Sequence, residues 1–321
     1  STDVMRPIVH ALPILVVVAL GSGAGSGSTQ SMPGGEASGA ATPGFGGAVA
    51  ISDGEVFVAE AGNVIVSGAV YVFRRRSQAW EEVARLRASD GFGGDGFGSA
   101  IAVDGGTMLV SAAAQDDGGA VYVFERSAAG DWIEGGRLPA VNVDSRGGYG
   151  SALALADDFA MVGAPALESV GAGRGGSPAP GAVYVFERSG GEWAARAVLS
   201  EGDAGNGFGA AMALRPGRLL VGAPWANGAG AAYSFSFDDD VWRLDGRVRA
   251  RGASGDDRFG TSLRLDGDQA LVAAPGRNGG EGTVFAFRRD RDGGWAPAGR
   301  LVPFDGFQRD EFGSSLGLGE G

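Results

Sequence analysis

The stretch FGAAMALRPGRLLVGAP, residues 208–224, contains the features that decide the fold of this chain. It begins with an aromatic residue followed by glycine, crosses a Pro216-Gly217 turn and ends in Gly222-Ala223-Pro224. The opening aromatic-glycine step recurs along the chain at intervals of 52, 52, 59, 51 and 53 residues. The six steps are Phe45-Gly46, Phe97-Gly98, Tyr149-Gly150, Phe208-Gly209, Phe259-Gly260 and Phe312-Gly313. Self-similarity at a nearly fixed period indicates repeated supersecondary units that pack on one another.

Each unit contains further landmarks in a constant order. A valine follows the aromatic residue by thirteen positions, and a run of β-branched and aromatic residues comes after that valine. The runs are Gly68–Phe73, Gly119–Phe124, Gly181–Phe186, Gly230–Phe235 and Gly282–Phe287, and the tryptophans that follow them are Trp80, Trp132, Trp193, Trp242 and Trp295. An aliphatic residue lies six positions after every tryptophan. A regular strand would turn both of these side chains to the same face.

The landmarks predict four short strands in each unit. The segment after each aromatic-glycine step is apolar and is bounded by turn sequences such as Asp53-Gly54. The Val-Tyr-Val-Phe runs show no polar alternation, which is typical of strands buried on both faces. With 61 glycines and 13 prolines, the chain is poorly suited to long helices. We therefore expect an all-β fold with the aromatic residues of the runs, and with Trp80, Trp132 and Trp193, in its core.

Four strands in about 52 residues match the size of a β-propeller blade with its connections. Radial packing explains strands buried on both faces, because each blade lies between two neighbours. The sequence predicts four-stranded antiparallel blades that start near residues 45, 97, 149, 208 and 259, plus the first strand of a sixth at 312. We expect such a chain to be a fragment of a larger ring, or a ring that closes with five blades.

The units resemble the FG-GAP repeat, which forms the blades of the integrin α-subunit propeller. The resemblance rests on the aromatic-glycine step, on Gly-Ala-Pro in mid-unit and on the Gly-Ala-Val-Tyr-Val-Phe run. The bacterial type of the repeat is the more similar, since it contains a segment like Phe208–Pro224 followed by the Tyr-Val-Phe and tryptophan segments. The resemblance covers residues 45–321 and implies adhesion, ligand binding or assembly, without specifying which.

Many FG-GAP blades contain an Asp-x-Asp-x-Asp-Gly calcium loop, and the corresponding turns here lack it. Calcium takes six to eight oxygen ligands, and no turn of this chain offers three alternating carboxylates. We therefore expect plain hairpin turns, no metal site and no cofactor.

The sequence predicts a division of the chain into three segments. Residues 1–21 resemble a signal peptide, with Met5-Arg6 before the 13-residue apolar stretch Ile8–Leu20. That stretch is shorter than the roughly 20 residues of a spanning helix, although an uncleaved signal anchor is the alternative. Residues 22–44 form a Gly/Ser-rich linker and residues 45–321 the propeller. We expect a secreted or cell-surface protein without membrane insertion once the signal is removed.

The composition argues against an enzyme. The chain contains no cysteine and no lysine, and its single histidine, His10, lies in the signal-like segment. These absences remove Ser-His and Cys-His pairs, Schiff-base chemistry and the phosphate-loop lysine. The formal net charge of −12 disfavours binding to nucleic acids. No catalytic residue is assigned.

Candidate binding residues fall on one edge of the predicted blades, where the second connection of each blade and the links between blades meet. The third unit has a long second connection, residues 166–180, with Glu168 and Arg174. It is either a functional loop or a tolerated insertion. Trp225 follows a Gly-Ala-Pro triplet directly. The links contain a recurring set of acids, Asp90, Asp95, Asp203, Asp256, Asp257, Asp305 and Asp310. These acids either capture a cationic partner or a weakly held calcium ion, or they cap turns.

The sequence thus predicts an exported, non-catalytic propeller of the cell-adhesion type that binds a protein or a glycan at this edge. Two alternatives stay open, namely a propeller attached to a catalytic domain outside this chain and a purely structural surface protein.

Overall fold

A computed structural model of the chain describes residues 44–62, 65–77, 79–115, 118–140, 147–165, 181–201 and 207–317. Within these ranges, strands form five four-stranded sheets whose neighbouring strands are antiparallel. In chain order the strands are β1 (Phe45–Ser52), β2 (Glu55–Gly62), β3 (Ser67–Arg76), β4 (Ala79–Leu86), β5 (Phe97–Asp104), β6 (Thr107–Ala112), β7 (Ala120–Arg126), β8 (Trp132–Leu138), β9 (Ala152–Ala156), β10 (Phe159–Ala164), β11 (Ala182–Ser189), β12 (Glu192–Leu199), β13 (Ala211–Arg215), β14 (Arg218–Ala223), β15 (Ala231–Asp238), β16 (Val241–Val248), β17 (Leu263–Asp266), β18 (Gln269–Ala274), β19 (Thr283–Arg289) and β20 (Trp295–Leu301). The prediction of an all-β chain built from four-stranded blades is confirmed.

Two short helical turns are described in full, Ala226–Gly228 and Arg277–Gly280. Both lie in second connections, between the second and third strands of their sheets. The signal-like segment and most of the linker, residues 1–43, lie outside the described residues. No described helix is long and apolar enough to cross a membrane.

The sheets pack face to face in chain order, and we call each sheet-to-sheet contact an interblade joint. The first strands of successive sheets touch, β1 with β5, β5 with β9, β9 with β13 and β13 with β17. The four larger hydrophobic clusters each combine side chains from two successive sheets. The core is therefore divided into layers between blades, as the burial of the third strands on both faces predicts.

A glycine at the start of each third strand fixes the spacing of every joint. The backbone of the next unit's aromatic residue lies directly against this glycine, so a Cβ atom there would overlap the aromatic residue's carbonyl oxygen. The distances from an ideal Cβ to that oxygen are 1.8 Å for Gly68 and Phe97, 2.2 Å for Gly119 and Tyr149, 2.3 Å for Gly181 and Phe208, 2.2 Å for Gly230 and Phe259, and 2.3 Å for Gly282 and Phe312. At the last two joints the contact is also a parallel β-bridge. The aromatic-glycine step is thus the element that docks each blade onto the blade before it.

The expectation that the tryptophan and the later aliphatic residue share a face is wrong, because every fourth strand contains a β-bulge. In the first sheet, Phe73 pairs with Glu82 and Val72 with Ala84, which leaves Val83 as an extra residue. The same register shift occurs in the other four sheets. One extra residue reverses the alternation of side chains beyond it. Consequently the tryptophan packs on the preceding blade, whereas the aliphatic residue packs on the following one.

Trp80 is not a core residue, contrary to the sequence prediction. Trp132 of the second sheet is 8% exposed and packs edge-on against Phe57 of the first, with ring centroids 5.5 Å apart. Trp80 holds the same position in the first sheet and is 49% exposed. No described residue covers this side of the first sheet, on which Val49 and Ile51 are exposed as well.

The first residues of the sixth unit pack against the fifth sheet. Phe312 forms its bridge with Gly282, and Leu316 is buried against Leu271 and Val284 of the fifth sheet. No strand forms from residue 312 to residue 317, where the described part of the chain ends.

Replacing Gly68 by alanine tests the spacing of the joints. Gly68 has no positive φ, so the new methyl group acts through steric overlap, mainly with the Phe97 carbonyl and also with the Glu60 carbonyl oxygen at 2.7 Å. We expect the free energy of unfolding to fall by about 1–3 kcal/mol, the usual cost of overpacking, in urea titrations followed by circular dichroism. The control is Gly106→Ala, whose Cβ would lie 3.7 Å from the nearest side chain and which should change stability by less than about 0.5 kcal/mol. Equal losses in both variants would contradict the contact.

Two tryptophans at one repeat position provide a second test. Trp132→Ala removes a buried indole and should lower the free energy of unfolding by about 3–5 kcal/mol. Trp80→Ala removes an exposed one and should cost less than about 1 kcal/mol. If urea unfolding gave similar losses for the two variants, something would have to cover Trp80 in solution.

Candidate functional site

The second connections and the interblade links meet at one edge of the blades, which we call the link face. Backbone hydrogen bonds join them there: Ala114 N–H donates to the Asp95 carbonyl at 3.0 Å, and Asp256 N–H donates to the Gly228 carbonyl at 3.0 Å. Near the end of the described chain, Glu311 N–H donates to the Gly280 carbonyl at 2.7 Å. The candidate residues named from the sequence that the structure describes all belong to this face.

Three of the recurring acids cap turns. Asp95, Asp257 and Asp310 each stand two positions before the aromatic residue, and each accepts a hydrogen bond from the backbone N–H three residues earlier, at 2.9, 3.1 and 2.7 Å. Asp95 also accepts from Phe97 N–H at 2.9 Å and from the Ser67 hydroxyl at 3.0 Å. It is fully buried. Side chains held in this way position the aromatic-glycine step and have little capacity left for a ligand.

Two of the acids are neutralised by arginine. Asp257 accepts from Arg277 Nη1 at 2.6 Å. Asp90 forms an ion pair with Arg137 and accepts from the Tyr122 hydroxyl at 2.6 Å. Asp256 and Asp305 are exposed and have no side-chain partner among the described residues. The acids therefore do not converge on one site.

Three candidate residues cannot be placed. Glu168 and Arg174 lie in residues 166–180, and Asp203 lies in residues 202–206, both outside the described residues. In the part of the chain that is described, no group of three or more His, Cys, Asp or Glu side chains is close enough to hold a metal ion.

Exposed aromatic side chains are the second feature of the link face. Trp225 is 47% exposed and lies against Gly207, where a Cβ would come within 2.4 Å of the indole ring. Phe92, Phe304 and Phe307, which belong to links, are exposed as well. Aromatic side chains are enriched at surfaces that bind a partner.

A repeated pairing of arginine with an aromatic ring on the outer strands was not predicted from the sequence. Arg85, Arg137 and Arg247 each lie opposite a tyrosine of the third strand, with the guanidinium carbon 4.5, 4.5 and 5.4 Å from the ring centroid. Each arginine stands one residue before the aliphatic landmark of its unit, so an alignment of the repeats would have revealed it. In the first sheet the tyrosine, Tyr71, donates to Glu60, and this hydrogen bond raises the pKa of the Tyr71 hydroxyl.

The fifth sheet departs from this pairing and contains a cavity of about 280 Å³. Phe285 replaces the tyrosine opposite Arg300, and Arg251 and Arg277 also line the cavity. Three arginines thus surround a partly apolar depression at the outer end of the joint between the fourth and fifth sheets.

Comparisons with solved structures show the fold. The chain is similar to a candidate 6-phosphogluconolactonase from Bacteroides uniformis, with a TM-score of 0.58 and 13% sequence identity over 82% of this chain and 73% of that chain. A candidate 6-phosphogluconolactonase from Bacteroides fragilis gives a TM-score of 0.45 and 12% identity over 80% of this chain and 84% of that chain. At 13% identity, the similarity to the Bacteroides uniformis structure shows the fold alone.

The family comparison concerns one segment. No curated protein sequence matches the chain. The family model of the FG-GAP repeat matches residues 80–124. The matched segment runs from the fourth strand of the first sheet to the third strand of the second, so it contains one complete aromatic-glycine step, Phe97-Gly98. Together with the five sheets, this match identifies an FG-GAP repeat within a β-propeller fold.

Proposed function

We propose that this chain is an exported, non-catalytic propeller module that binds a protein or glycan partner through its link face. The observation on which the proposal depends is the set of exposed aromatic side chains there, with Trp225 as its largest member. A half-exposed indole supplies a large contact area at a small cost in conformational entropy, which is why tryptophan is enriched among residues that dominate binding energy.

The residue types available favour binding over catalysis. Beyond residue 10 the chain has no histidine, and it has no cysteine or lysine anywhere, so carboxylate chemistry is what remains. The described carboxylates of the link face are mostly engaged in turn caps and arginine pairs, as are Asp95 and Asp257. A pair of free acids facing one ligand would be the sign of a hydrolase, and Asp256 and Asp305 belong to different links.

The second candidate function is a module attached to a catalytic domain outside this chain. The same link face would then hold the catalytic domain or its substrate in place. The complete open reading frame separates the two ideas, because an adjoining domain with histidine, cysteine or lysine in an active site favours the second.

Trp225→Ala should weaken partner binding at least tenfold, because truncating a dominant aromatic contact costs about 2 kcal/mol or more. The measurement is retention on a glycan array and on immobilised extracellular proteins, with melting temperature as a check on folding. Trp80→Ala is the matched control, since that indole is equally exposed but lies on the outer strand β4. Retention that is equal for wild type and Trp225→Ala would remove Trp225 from the binding site.

Export can be tested apart from binding. Residues 1–44 fused to a phosphatase that is active only outside the cytoplasm should give activity in the medium or at the cell surface. Val17→Arg places a charge in the apolar stretch and should abolish that activity. If the fusion with the unchanged segment were as inactive as the Val17→Arg fusion, export by this segment would be contradicted.

A further inference from the structure

A small cell of side chains recurs on the outer strands of the second and fourth sheets. It consists of an aromatic ring on the third strand, an arginine directly opposite on the fourth, and a carboxylate from the incoming link. In the second sheet the members are Tyr122, Arg137 and Asp90. In the fourth sheet they are Tyr233, Arg247 and Glu201, with Arg247 Nη2 3.1 Å from the Glu201 carboxylate. The chain thus satisfies these arginines with its own acids.

The fifth sheet has the same cell without the carboxylate. Phe285 lies opposite Arg300, so the ring has no hydroxyl group to donate or accept. The incoming link contributes Arg251, three residues beyond the end of β16. In the other two cells, Glu201 and Asp90 lie two and four residues beyond the end of the preceding strand. Neither Arg251 nor Arg300 has an ion-pair partner among the described residues. A positive charge therefore stands where the second and fourth sheets have a negative one.

A third arginine is fixed in place beside the first two. Arg277 is held through its Nη1 atom, which donates to Asp257 at 2.6 Å and to the Gly252 carbonyl at 3.1 Å. Its guanidinium carbon lies 5.5 Å from the centroid of the Phe285 ring. Both hydrogen bonds use one nitrogen, so the Nη2 and Nε atoms keep donor capacity. Because Asp257 is buried, this arginine is preorganised.

The cavity between the three arginines has the shape and chemistry of an anion site. Its volume is about 280 Å³, and Phe285, Phe287, Pro297 and Gly299 form its walls together with the arginines. Guanidinium groups bind carboxylates through two parallel hydrogen bonds, and the apolar walls offer a surface on which the body of a ligand can pack. The absence of a side chain at Gly299 keeps the outer strand from filling the space.

We propose that this cavity, the arginine cell of the fifth blade, binds a compact ligand that bears a carboxylate. The ligand's carboxylate takes the place that Asp90 and Glu201 hold in the other cells, and its body rests against the Phe285 ring. This site goes beyond the proposed function and uses none of the exposed aromatic residues of the link face. The carboxylate site and partner binding at the link face can therefore be disproved independently.

Binding is measured by titration calorimetry on the whole chain at low ionic strength, where exposed charges are least screened. The probes are glucuronate, glucose as its neutral counterpart, and inorganic phosphate. We expect glucuronate to bind with a Kd of about 1 mM and glucose to give no signal. Phosphate binding as tight as glucuronate binding would overturn the carboxylate assignment, and so would the absence of glucuronate binding.

Two variants locate the site. Arg251→Asp restores the carboxylate that the other cells possess, and it should weaken glucuronate binding at least tenfold because Arg300 then pairs within the chain. Arg291→Asp makes the same change of charge at an exposed turn between β19 and β20 and should leave the affinity within twofold. The melting temperature of Arg251→Asp shows whether this variant folds. If it does not fold, Arg300→Ala replaces it, and we expect the same loss of glucuronate affinity. Unchanged affinity in both cell variants would overturn the proposal.

Discussion

The whole architecture depends on one backbone contact, the approach of an aromatic residue's carbonyl to a glycine of the preceding blade. It recurs at all five third strands, with Gly68 and Phe97 the closest pair. Because neither partner is a side chain, the spacing between blades is set without regard to the side chains that fill the joint. The buried Asp95-type caps orient the same step from the other side. Fold and repeat are thus specified by a few short motifs.

Around that fixed contact, the chemistry of the joints varies. At the first joint Glu55 is buried and binds both Arg126 and the Trp132 indole of the next blade. At the second, Arg188 reaches back to Glu125 at 2.7 Å. The third joint has the ring cluster of Phe159, Phe237 and Trp242 in the corresponding position, and Arg196 forms an ion pair with Asp240 across it at 2.7 Å. An ion pair and a cluster of aromatic rings can replace one another in a joint, because the backbone contact already fixes the distance between the blades.

Much of this fold could be predicted from the sequence, because the aromatic-glycine step and the Val-Tyr-Val-Phe runs keep a constant order. The bulge could not, since Val83 and its counterparts look like ordinary strand residues and only the register of hydrogen bonds shows the extra position. The recurring acids left two interpretations open, and only the backbone donors around Asp95 reveal its role. The arginine cell was missed because Arg251 and Arg300 are 49 residues apart and appear unrelated along the chain.

The side of the first sheet that no described residue covers has a consequence for the way these five sheets unfold. In arrays of repeats, each unit is stabilised by its neighbours, so a unit with one neighbour opens more readily than one with two. β1 has Phe45, Val49 and Ile51 in contact with water, whereas the corresponding strand of the second sheet begins with a fully buried Phe97. Amide hydrogens of β1 and β2 should consequently exchange with solvent ahead of those in β5 and β6, as fraying starts at this end and proceeds inward.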